Sequence, residues 1–326
     1  MNYIDMHCDT LEAALVQKKD TIWEIPGAMV DVSRLKVAGA AAQFFAMFLP
    51  QRNEPEWFGL QKMPELEQLM MQMYGVFQNT LKQCSDTLAF AGNYKELEAN
   101  QKAGKISAFL TIENGCPVDG RMENIKRYYD MGVRLMTLTW NDANCFGYPH
   151  STRREEMEMG LTDFGKEAVS YMQELGMIVD VSHLSDGGFY DVADVTKKPF
   201  VASHSNCRAL APASRNLTDE MIRILAERGG VAGLNFYPGF LNRERTDQES
   251  RIACMCDHVE HMRNVGGIEC VGIGTDFDGI CGQLEIKDCT QMPLLFDALK
   301  KRGFSERELD HIAYKNVERV LKECLP

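Results

Sequence analysis

The stretch IDMHCDT, close to the start of the chain, places a histidine and an aspartate two residues apart. Alternate residues of a β-strand point to the same face, so His7 and Asp9 would project an imidazole and a carboxylate side by side. Taken singly, such residues are usually structural histidines, helix caps or turn residues. Their repeated position at the ends of apolar runs favours one shared site instead. The further runs end in Glu113, His183, His204 and Asp276.

Histidine and carboxylate side chains together indicate a metal site. Because no cysteine ends these runs, the ligand types favour zinc, with manganese, cobalt or iron also compatible. Three histidines, one aspartate and one glutamate exceed what a single open tetrahedral zinc site takes. They suit two metals, spaced ~3.5–4 Å apart, that share a bridging carboxylate. Such a pair deprotonates a bridging water and polarises a carbonyl group, so the residues predict hydrolytic chemistry.

Eight short apolar runs alternate with segments of helical period. Each run is nearly continuous in hydrophobicity, as expected for strands buried on both faces. The helical segments, such as 161–176 and 217–230, carry capping signals and close on glycine. The predicted strands are 3–10, 41–49, 106–113, 133–140, 177–183, 200–205, 230–236 and 270–277.

Eight strands, each followed by helical sequence, predict a (β/α)8 TIM barrel. An open doubly wound sheet is the rival, but it would need an edge strand with one polar face, and no run shows one. The C-terminal ends of barrel strands meet on one face, where the candidate ligands would converge. Residues 11–40 and 50–105 are long connections, and the second holds a methionine-rich helix expected to pack in the core or against another subunit rather than to hold a cofactor. Without a linker or repeat, residues 1–326 are predicted to form a single domain.

Composition excludes several classes of partner. The net charge is −12 and the pI about 5.1, so no basic face is expected for nucleic acid or an anionic membrane. No apolar run approaches the ~18 residues that span a bilayer, and no signal peptide precedes the first predicted strand. These features predict a cytoplasmic protein without a membrane partner. In a reducing compartment the 11 cysteines are expected to be small buried hydrophobes.

Several stretches resemble the renal, or membrane, dipeptidase family of zinc enzymes, within the metal-dependent TIM-barrel hydrolases. The resemblance implies a binuclear dipeptidase with two Zn²⁺ per chain, or Mn²⁺ or Co²⁺ in their place. Its substrate would be a dipeptide, cleaved by a hydroxide that bridges the metals, and the protein would be a homodimer. The match covers nearly the whole chain and rests on DMHCDT, VDVSRLKVAGAAAQFFAMF, LTIENG, MIVDVSHLSD, VASHSNCRALAPASRNLTDE, GLNFYPGF and GIGTDFDG.

The family pattern implies a role for each candidate ligand. One metal would be held by His7 and Asp9, and the other by His183 and His204. Glu113 would bridge the two metals, in the place that a carboxylated lysine takes in many other hydrolases of this barrel class. Since no lysine ends any of the eight predicted strands, the sequence favours the dipeptidase branch.

The same resemblance assigns the residues that act on the substrate. Asp276 would contact the hydroxide and move protons, and Tyr237 in NFYPGF would line the substrate pocket. Arg215 in SRNLTD would bind the C-terminal carboxylate of a dipeptide, because a guanidinium fork matches a carboxylate in charge and geometry. That contact would make the enzyme measure peptide length. The ordinary alternative for Arg215 is a surface salt bridge.

One position departs from the family pattern. Relatives of the renal enzyme carry a histidine after the fourth strand that assists the carbonyl oxygen of the tetrahedral intermediate, whereas Trp140 stands here. An indole donates only its N–H and cannot become cationic, so Asn141 or Asn144 would be the alternative donor. Loss of such a donor can cost ~2.7–4 kcal/mol of transition-state stabilisation. We therefore expect either that the metals take over this role or that the substrate differs from an ordinary dipeptide.

Two other functions are compatible with the sequence. A related amidohydrolase that acts on another small amide, lactam or lactone would use a similar metal site. A non-catalytic binding protein would be expected to lose ligands, and all five are present. The dipeptidase is the favoured hypothesis.

Overall fold

A computed structural model of the chain describes residues 2–51 and 64–325. Within these residues, eight parallel strands form a closed barrel with helices in the connections, which confirms the predicted (β/α)8 TIM barrel. The prediction that residues 1–326 form a single domain stays a prediction. The barrel strands are β1 Tyr3–Cys8, β2 Ala40–Phe48, β3 Ile106–Glu113, β4 Val133–Thr137, β5 Ile178–Asp180, β6 Val201–Ala202, β7 Val231–Leu234 and β8 Val271–Ile273.

Hydrogen-bonded ladders close the barrel, which excludes the open doubly wound sheet that was the alternative fold. The last strand, β8, pairs with β1 at Asp5 and Ile273. The longest ladder joins β2 to β3 over seven consecutive pairs and ends with Phe48 opposite Glu113. Because this ladder runs to the end of β3, it holds the Glu113 backbone firmly at the C-terminal face.

Helices surround the barrel, and several begin at the caps that the sequence indicated. Thr162 accepts a 2.9 Å hydrogen bond from the Gly165 N–H, and Thr218 accepts one of 3.2 Å from the Met221 N–H. No helix in the described ranges is both long and apolar enough to cross a membrane. The α-helices are α1 Thr10–Val16, α2 Val32–Ala38, α3 Leu66–Gln83, α4 Tyr94–Lys102, α5 Met122–Asp130, α6 Arg154–Met157, α7 Asp163–Leu175, α8 Asp186–Val195, α9 Asp219–Glu227, α10 Pro238–Leu241, α11 Ile252–Gly266, α12 Pro293–Lys301, α13 Glu306–Asp310 and α14 Asn316–Cys324.

Several strands are shorter than the sequence indicated. The prediction placed His183, His204 and Asp276 inside strands, but each lies two or three residues beyond the end of its strand. His183 and Asp276 have φ angles of 69° and 62°, in the left-handed region that strand residues do not adopt. The runs predicted at 133–140, 177–183, 200–205 and 270–277 end instead at Thr137, Asp180, Ala202 and Ile273.

The two long connections contain elements that were not predicted. The first includes α1 and α2, each of seven residues. The second adds a three-residue strand, Leu88–Phe90, which pairs with the start of β3, and then α4. The strands Glu249–Ser250 and Gln283–Leu284 form a separate small sheet. Elements this short leave too few residues for a periodic pattern.

The methionine-rich helix α3 packs in the core, which is one of the two packing roles predicted for it. Met70 and Met73 are fully buried, whereas Met71 is 44% exposed. Seven of the eleven cysteines are buried, in keeping with their expected role as small hydrophobes. A smaller apolar cluster joins Ile4 and Met6 of β1 to Val317 of α14. The C-terminal helix therefore packs against the barrel strands.

Candidate active site

The five candidate metal ligands lie together at the C-terminal face of the barrel. His7 is the penultimate residue of β1, and Glu113 is the last residue of β3. Asp9, His183 and His204 lie just beyond their strands. All five are between 0% and 9% exposed. The barrel thus brings together side chains that are far apart in the sequence.

Glu113 stands between two groups of these ligands. Its Oε1 lies 3.0 Å from Nε2 of His183 and 3.6 Å from Nε2 of His204. Its Oε2 lies 3.5 Å from Nε2 of His7, which is itself 3.5 Å from Oδ2 of Asp9. One oxygen therefore faces each group, which is the arrangement expected of a carboxylate shared by two metals.

The ligand atoms fit divalent metal ions. His7, Asp9 and Glu113 each offer an atom within 4.8 Å of the others, and so do Glu113, His183 and His204. Both ring nitrogens of His7, Oδ1 of Asp9 and Nδ1 of His183 are buried without a hydrogen-bond partner among the described residues. Unpaired buried polar atoms are costly, and metal coordination would satisfy those that face the site. Imidazole and carboxylate donors suit zinc, manganese and cobalt.

Burial and charge set the protonation of the three histidines. Burial lowers the pKa of His183 to about 4 and holds that of His204 well below its usual range. Burial also acts to lower the pKa of His7, but the charges of Glu113 and then Asp9 outweigh it and raise that pKa well above its usual value. His183 and His204 are therefore neutral at pH 7, the form in which a histidine binds a metal.

A hydrogen-bond relay orients His204. Oδ2 of Asp180 accepts 2.6 Å bonds from the hydroxyls of Thr137 and Ser203. Oδ1 of Asp180 accepts bonds of 3.0 and 2.8 Å from the backbone N–H groups of Ser182 and Ser203. Because Ser203 gives its only hydroxyl hydrogen to Asp180, the ring must donate the 2.7 Å bond between His204 Nδ1 and Ser203. Nε2 of His204 therefore keeps its lone pair for the metal site.

Asp276 lies beside the metal ligands and is held by an asparagine. Its Oδ1 is 3.8 Å from Nε2 of His7, and its Oδ2 accepts a 2.8 Å bond from the Asn235 amide. Burial, reinforced by the charge of Glu113, raises the pKa of Asp276 to about 6. Asn235 is itself oriented, because its Oδ1 accepts a 2.7 Å bond from the Tyr237 N–H. A carboxyl group placed and tuned in this way suits general acid–base chemistry.

Arg215 lies next to the ligands and is only 4% exposed. It donates bonds of 2.5 Å to the Ser205 hydroxyl and 3.0 Å to the His204 carbonyl. Its buried Nε has no hydrogen-bond partner among the described residues, and its guanidinium carbon lies 5.6 Å from the centroid of the Phe240 ring. Burial lowers its pKa to about 10, so it stays charged at pH 7. A side chain this buried does not form the surface salt bridge that was its ordinary alternative.

A cavity of about 540 Å³ opens onto the ligands. Its described lining includes the predicted contact residues Trp140, Asn141 and Tyr237, but not Arg215. The Trp140 ring packs edge-on against Phe48, with centroids 4.9 Å apart. The cavity is large enough for a small substrate with two or three functional groups.

Comparison with known proteins agrees with this geometry. The model of the membrane dipeptidase family, peptidase family M19, matches residues 1–325. The chain belongs to this family. Its members are metallopeptidases, so the protein is a hydrolase of the metallo-dipeptidase type.

Individual relatives resemble the chain over most of its length. Dipeptidase aclJ of Aspergillus oryzae is 32% identical over 296 residues, which cover 90% of this chain and 69% of that protein. The solved structure of dipeptidase AC, a family M19 metallopeptidase, has a TM-score of 0.90 at 26% identity and covers 100% of this chain and 99% of its own. A metallopeptidase from Rhodobacter sphaeroides, solved with a phosphinate mimic of the dipeptide L-Ala-D-Ala, has a TM-score of 0.89 at 25% identity and covers 99% of each chain.

In this member of the membrane dipeptidase family, only one of the two asparagines suggested as donors beside Trp140 lines the cavity. The side chain of Asn144 donates to Asn114 and to the Leu138 carbonyl, at 3.0 and 2.8 Å, so it is turned into the protein. Asn141 lines the cavity, and its Oδ1 lies 3.2 Å from Nε2 of His150. Asn141 is therefore the donor candidate of the two.

Sequence reasoning missed three residues of the site. His150, assigned to a loop, lines the cavity, and its backbone N–H donates a 2.7 Å bond to the His183 carbonyl. Glu12 also lines the cavity, and Asn235 holds Asp276. The position of His150 after β4 was a usable signal, because loops at this face of a barrel carry function. Glu12 follows Asp9 by three residues, a spacing that shares one face of a helix.

The segment after Asp276 fixes the position of Asp9. Asp278 accepts bonds of 2.6 Å from the Thr10 hydroxyl and 2.6 Å from the Met29 N–H. Its carboxylate is therefore used in anchoring the start of α1. At Gly279 the backbone passes so close that an added Cβ would lie 2.1 Å from Oδ2 of Asp9. Glycine is the residue that leaves room for this carboxylate.

Proposed function

We propose that this member of the membrane dipeptidase family is a zinc dipeptidase that holds two metal ions per chain. The observation that carries the proposal is the placement of Glu113, one of whose oxygens faces His183 and the other His7. Zinc is the first choice for histidine and carboxylate ligands, and Mn²⁺ or Co²⁺ would accept the same set. When bound, the two ions would supply a hydroxide nucleophile and polarise the scissile carbonyl.

In this proposal, residues of the chain bind the ions, move protons and position the substrate. His7 and Asp9 serve one ion, and His183 and His204 the other. Asp276 takes a proton from the attacking water and returns it to the departing amine. Its hydrogen bond from Asn235 and its place 3.8 Å from Nε2 of His7 support this role, because a proton carrier must lie within reach of the reacting water.

The substrate is proposed to lie between the ligands and the cavity wall. Its C-terminal carboxylate binds Arg215, whose Nε is unpartnered within the described residues, so the leaving group is a single amino acid. Tyr237 and Trp140 form apolar walls around the peptide. Asn141 donates a hydrogen bond to the carbonyl oxygen, in place of the family histidine.

We also propose that the enzyme works in the cytoplasm as a homodimer. Eleven free cysteines support a reducing compartment. The dimer rests on family resemblance, and sedimentation of the purified protein tests it.

A hydrolysis screen tests the proposed reaction. Metal-reconstituted protein is offered free dipeptides, N-acetylated and amidated dipeptides, tripeptides and small lactams. We expect free dipeptides to be cleaved into two amino acids, with amidated dipeptides and tripeptides much poorer. Turnover of lactams without dipeptides would favour the amidohydrolase alternative.

Elemental analysis of the same samples tests the paired metals. Reconstituted protein should approach two equivalents of metal per chain. Glu113→Gln should lower this number, whereas Glu123→Gln, an exposed control in the first turn of α5, should keep it. Full activity at one equivalent would contradict the bridged pair.

A further inference from the structure

The described lining of the active-site cavity is rich in acidic groups. Five carboxylates line it, and neither lysine nor arginine is among its described lining residues. Arg215, next to the ligands, is proposed to hold the carboxylate of the substrate, so the acidic lining is free to receive a cationic group of the same molecule.

Glu12 has no structural task that explains it. It stands three residues after Asp9 in the first turn of α1, where a glutamate often completes a capping box by accepting the N–H of the cap residue. Here the Asp9 N–H donates instead to the Phe277 carbonyl, at 2.9 Å, and α1 has no side-chain cap bond. Within residues 2–51 and 64–325, the Glu12 carboxylate has neither a hydrogen bond nor an ion pair, although the residue lines the cavity.

The other acidic residues of the cavity already have partners or roles. Asp9 and Glu113 belong to the proposed metal ligands. Asp276 accepts a bond from Asn235, and Asp278 accepts bonds from Thr10 and Met29. Glu12 is thus the carboxylate that is left to contact a bound molecule.

We propose that Glu12 binds an ammonium group on the N-terminal residue of the substrate and so selects which dipeptides are cleaved. The inference rests on the proposed dipeptidase function and adds a residue that determines specificity. The ammonium group has two sources, the free α-amine and a cationic side chain such as that of lysine. The Glu12 carboxylate lines the cavity and has no partner among the described residues, so an ammonium group of the substrate would supply one.

Three substrates and three variants test this role. The substrates are Lys-Ala, norleucyl-Ala, which lacks only the side-chain ammonium, and N-acetyl-norleucyl-Ala, which lacks both ammonium groups. Glu12→Gln removes the charge and keeps the shape, and Glu12→Asp keeps the charge on a shorter stem. Glu123→Gln, exposed in the first turn of α5, is the matched control for a lost helix-start carboxylate.

The pattern of losses in kcat/KM identifies the source of the cation. Glu12→Gln should lower kcat/KM by roughly ten- to hundredfold for substrates that carry the bound ammonium, and Glu12→Asp should restore part of it. A loss for Lys-Ala alone assigns the side chain. Equal losses for Lys-Ala and norleucyl-Ala, with none for the acetylated peptide, assign the α-amine. No loss on any substrate, or the same loss on all three, overturns the proposal.

A binding measurement separates this inference from the proposed function. Calorimetry with phosphinate mimics of Lys-Ala and norleucyl-Ala reports the contact without turnover. Wild-type protein that cleaves none of the peptides refutes the dipeptidase proposal. If its affinity for both mimics is then unchanged by Glu12→Gln, the role of Glu12 is refuted separately, whereas a weakened affinity for either mimic supports it.

Discussion

Asp180→Asn tests how the protein prepares His204 to bind a metal. Asp180 is fully buried and accepts two hydroxyl and two backbone hydrogen bonds. An asparagine in the same place can still accept the two backbone bonds. Its amide nitrogen, however, would face the hydroxyls of Thr137 and Ser203 and would donate to them. Ser203 would then donate to Nδ1 of His204, which would move the ring proton to Nε2 and block the lone pair that faces the site.

The expected size of this effect comes from the general effect of mutating groups that hydrogen-bond to a metal ligand. Mutation of groups that orient a ligand typically weakens metal affinity by ~10- to 100-fold. That range corresponds to about 1.4–2.8 kcal/mol. We expect the affinity to fall for the ion held by His183 and His204, whereas the affinity for the ion held by His7 and Asp9 should be nearly unchanged.

Competition titration with a chromophoric chelator measures the two affinities separately. Asp180→Asn should show one site at wild-type affinity and one weakened site. Ser203→Ala should weaken the same site, because it removes the acceptor of the His204 ring N–H. Thr137→Val is the matched control, since it also removes a 2.6 Å hydroxyl bond to Asp180 but does not contact His204.

The reasoning about the ring proton can be refuted in two ways. Asp180→Asn protein that binds both ions with wild-type affinity would show that the proton on His204 does not depend on the relay. Equal weakening by Thr137→Val and Ser203→Ala would assign the effect to general loss of packing around Asp180. Circular dichroism of each variant excludes unfolding as the cause.

Three further perturbations address the rest of the site. Asp276→Asn should keep its metal content but lose ~10²–10⁴-fold in kcat, because an amide cannot exchange the proton, and unchanged kcat across pH would remove Asp276 from that role. Arg215→Ala should lower kcat/KM for free dipeptides by roughly ten- to hundredfold and for amidated dipeptides far less, and equal losses would assign Arg215 to structure. Gly279→Ala should lower the affinity for the ion held by Asp9, because the new Cβ would lie 2.1 Å from Oδ2 of Asp9. Full metal occupancy by elemental analysis would contradict that clash.

The barrel and its ligands were predictable because buried parallel strands leave continuous apolar runs. The residues at the ends of those runs must then meet on one face, so His7 and His204 could be brought together without coordinates. Strand boundaries were not predictable in the same way. His183 and Asp276 leave the extended conformation before the hydrophobic run ends, and nothing in side-chain polarity reports a left-handed backbone.

The missed residues share a different physical cause. His150 and Glu12 reach the cavity because of the course of a loop and the direction of a seven-residue helix. The position after β4 and the three-residue spacing from Asp9 place these residues near the site, but hydrophobic periodicity does not show that their side chains reach the cavity. Asn144 is the converse case, since it stood in the right stretch but its side chain donates to two protein oxygens and accepts from the Phe146 N–H. Which side of a loop faces the cavity is decided by packing, not by composition.

The left-handed backbone at His183 and Asp276 also bears on how this enzyme could change under selection. A non-glycine residue in that conformation costs roughly 1–2 kcal/mol relative to residues that adopt it freely, and glycine adopts it without strain. A screen that rewards heat resistance alone would therefore be drawn toward glycine at both positions. Each such substitution would remove a side chain from the reaction centre. Laboratory evolution of this protein should consequently reach its most heat-resistant forms by way of inactive ones, unless catalysis is selected in every round.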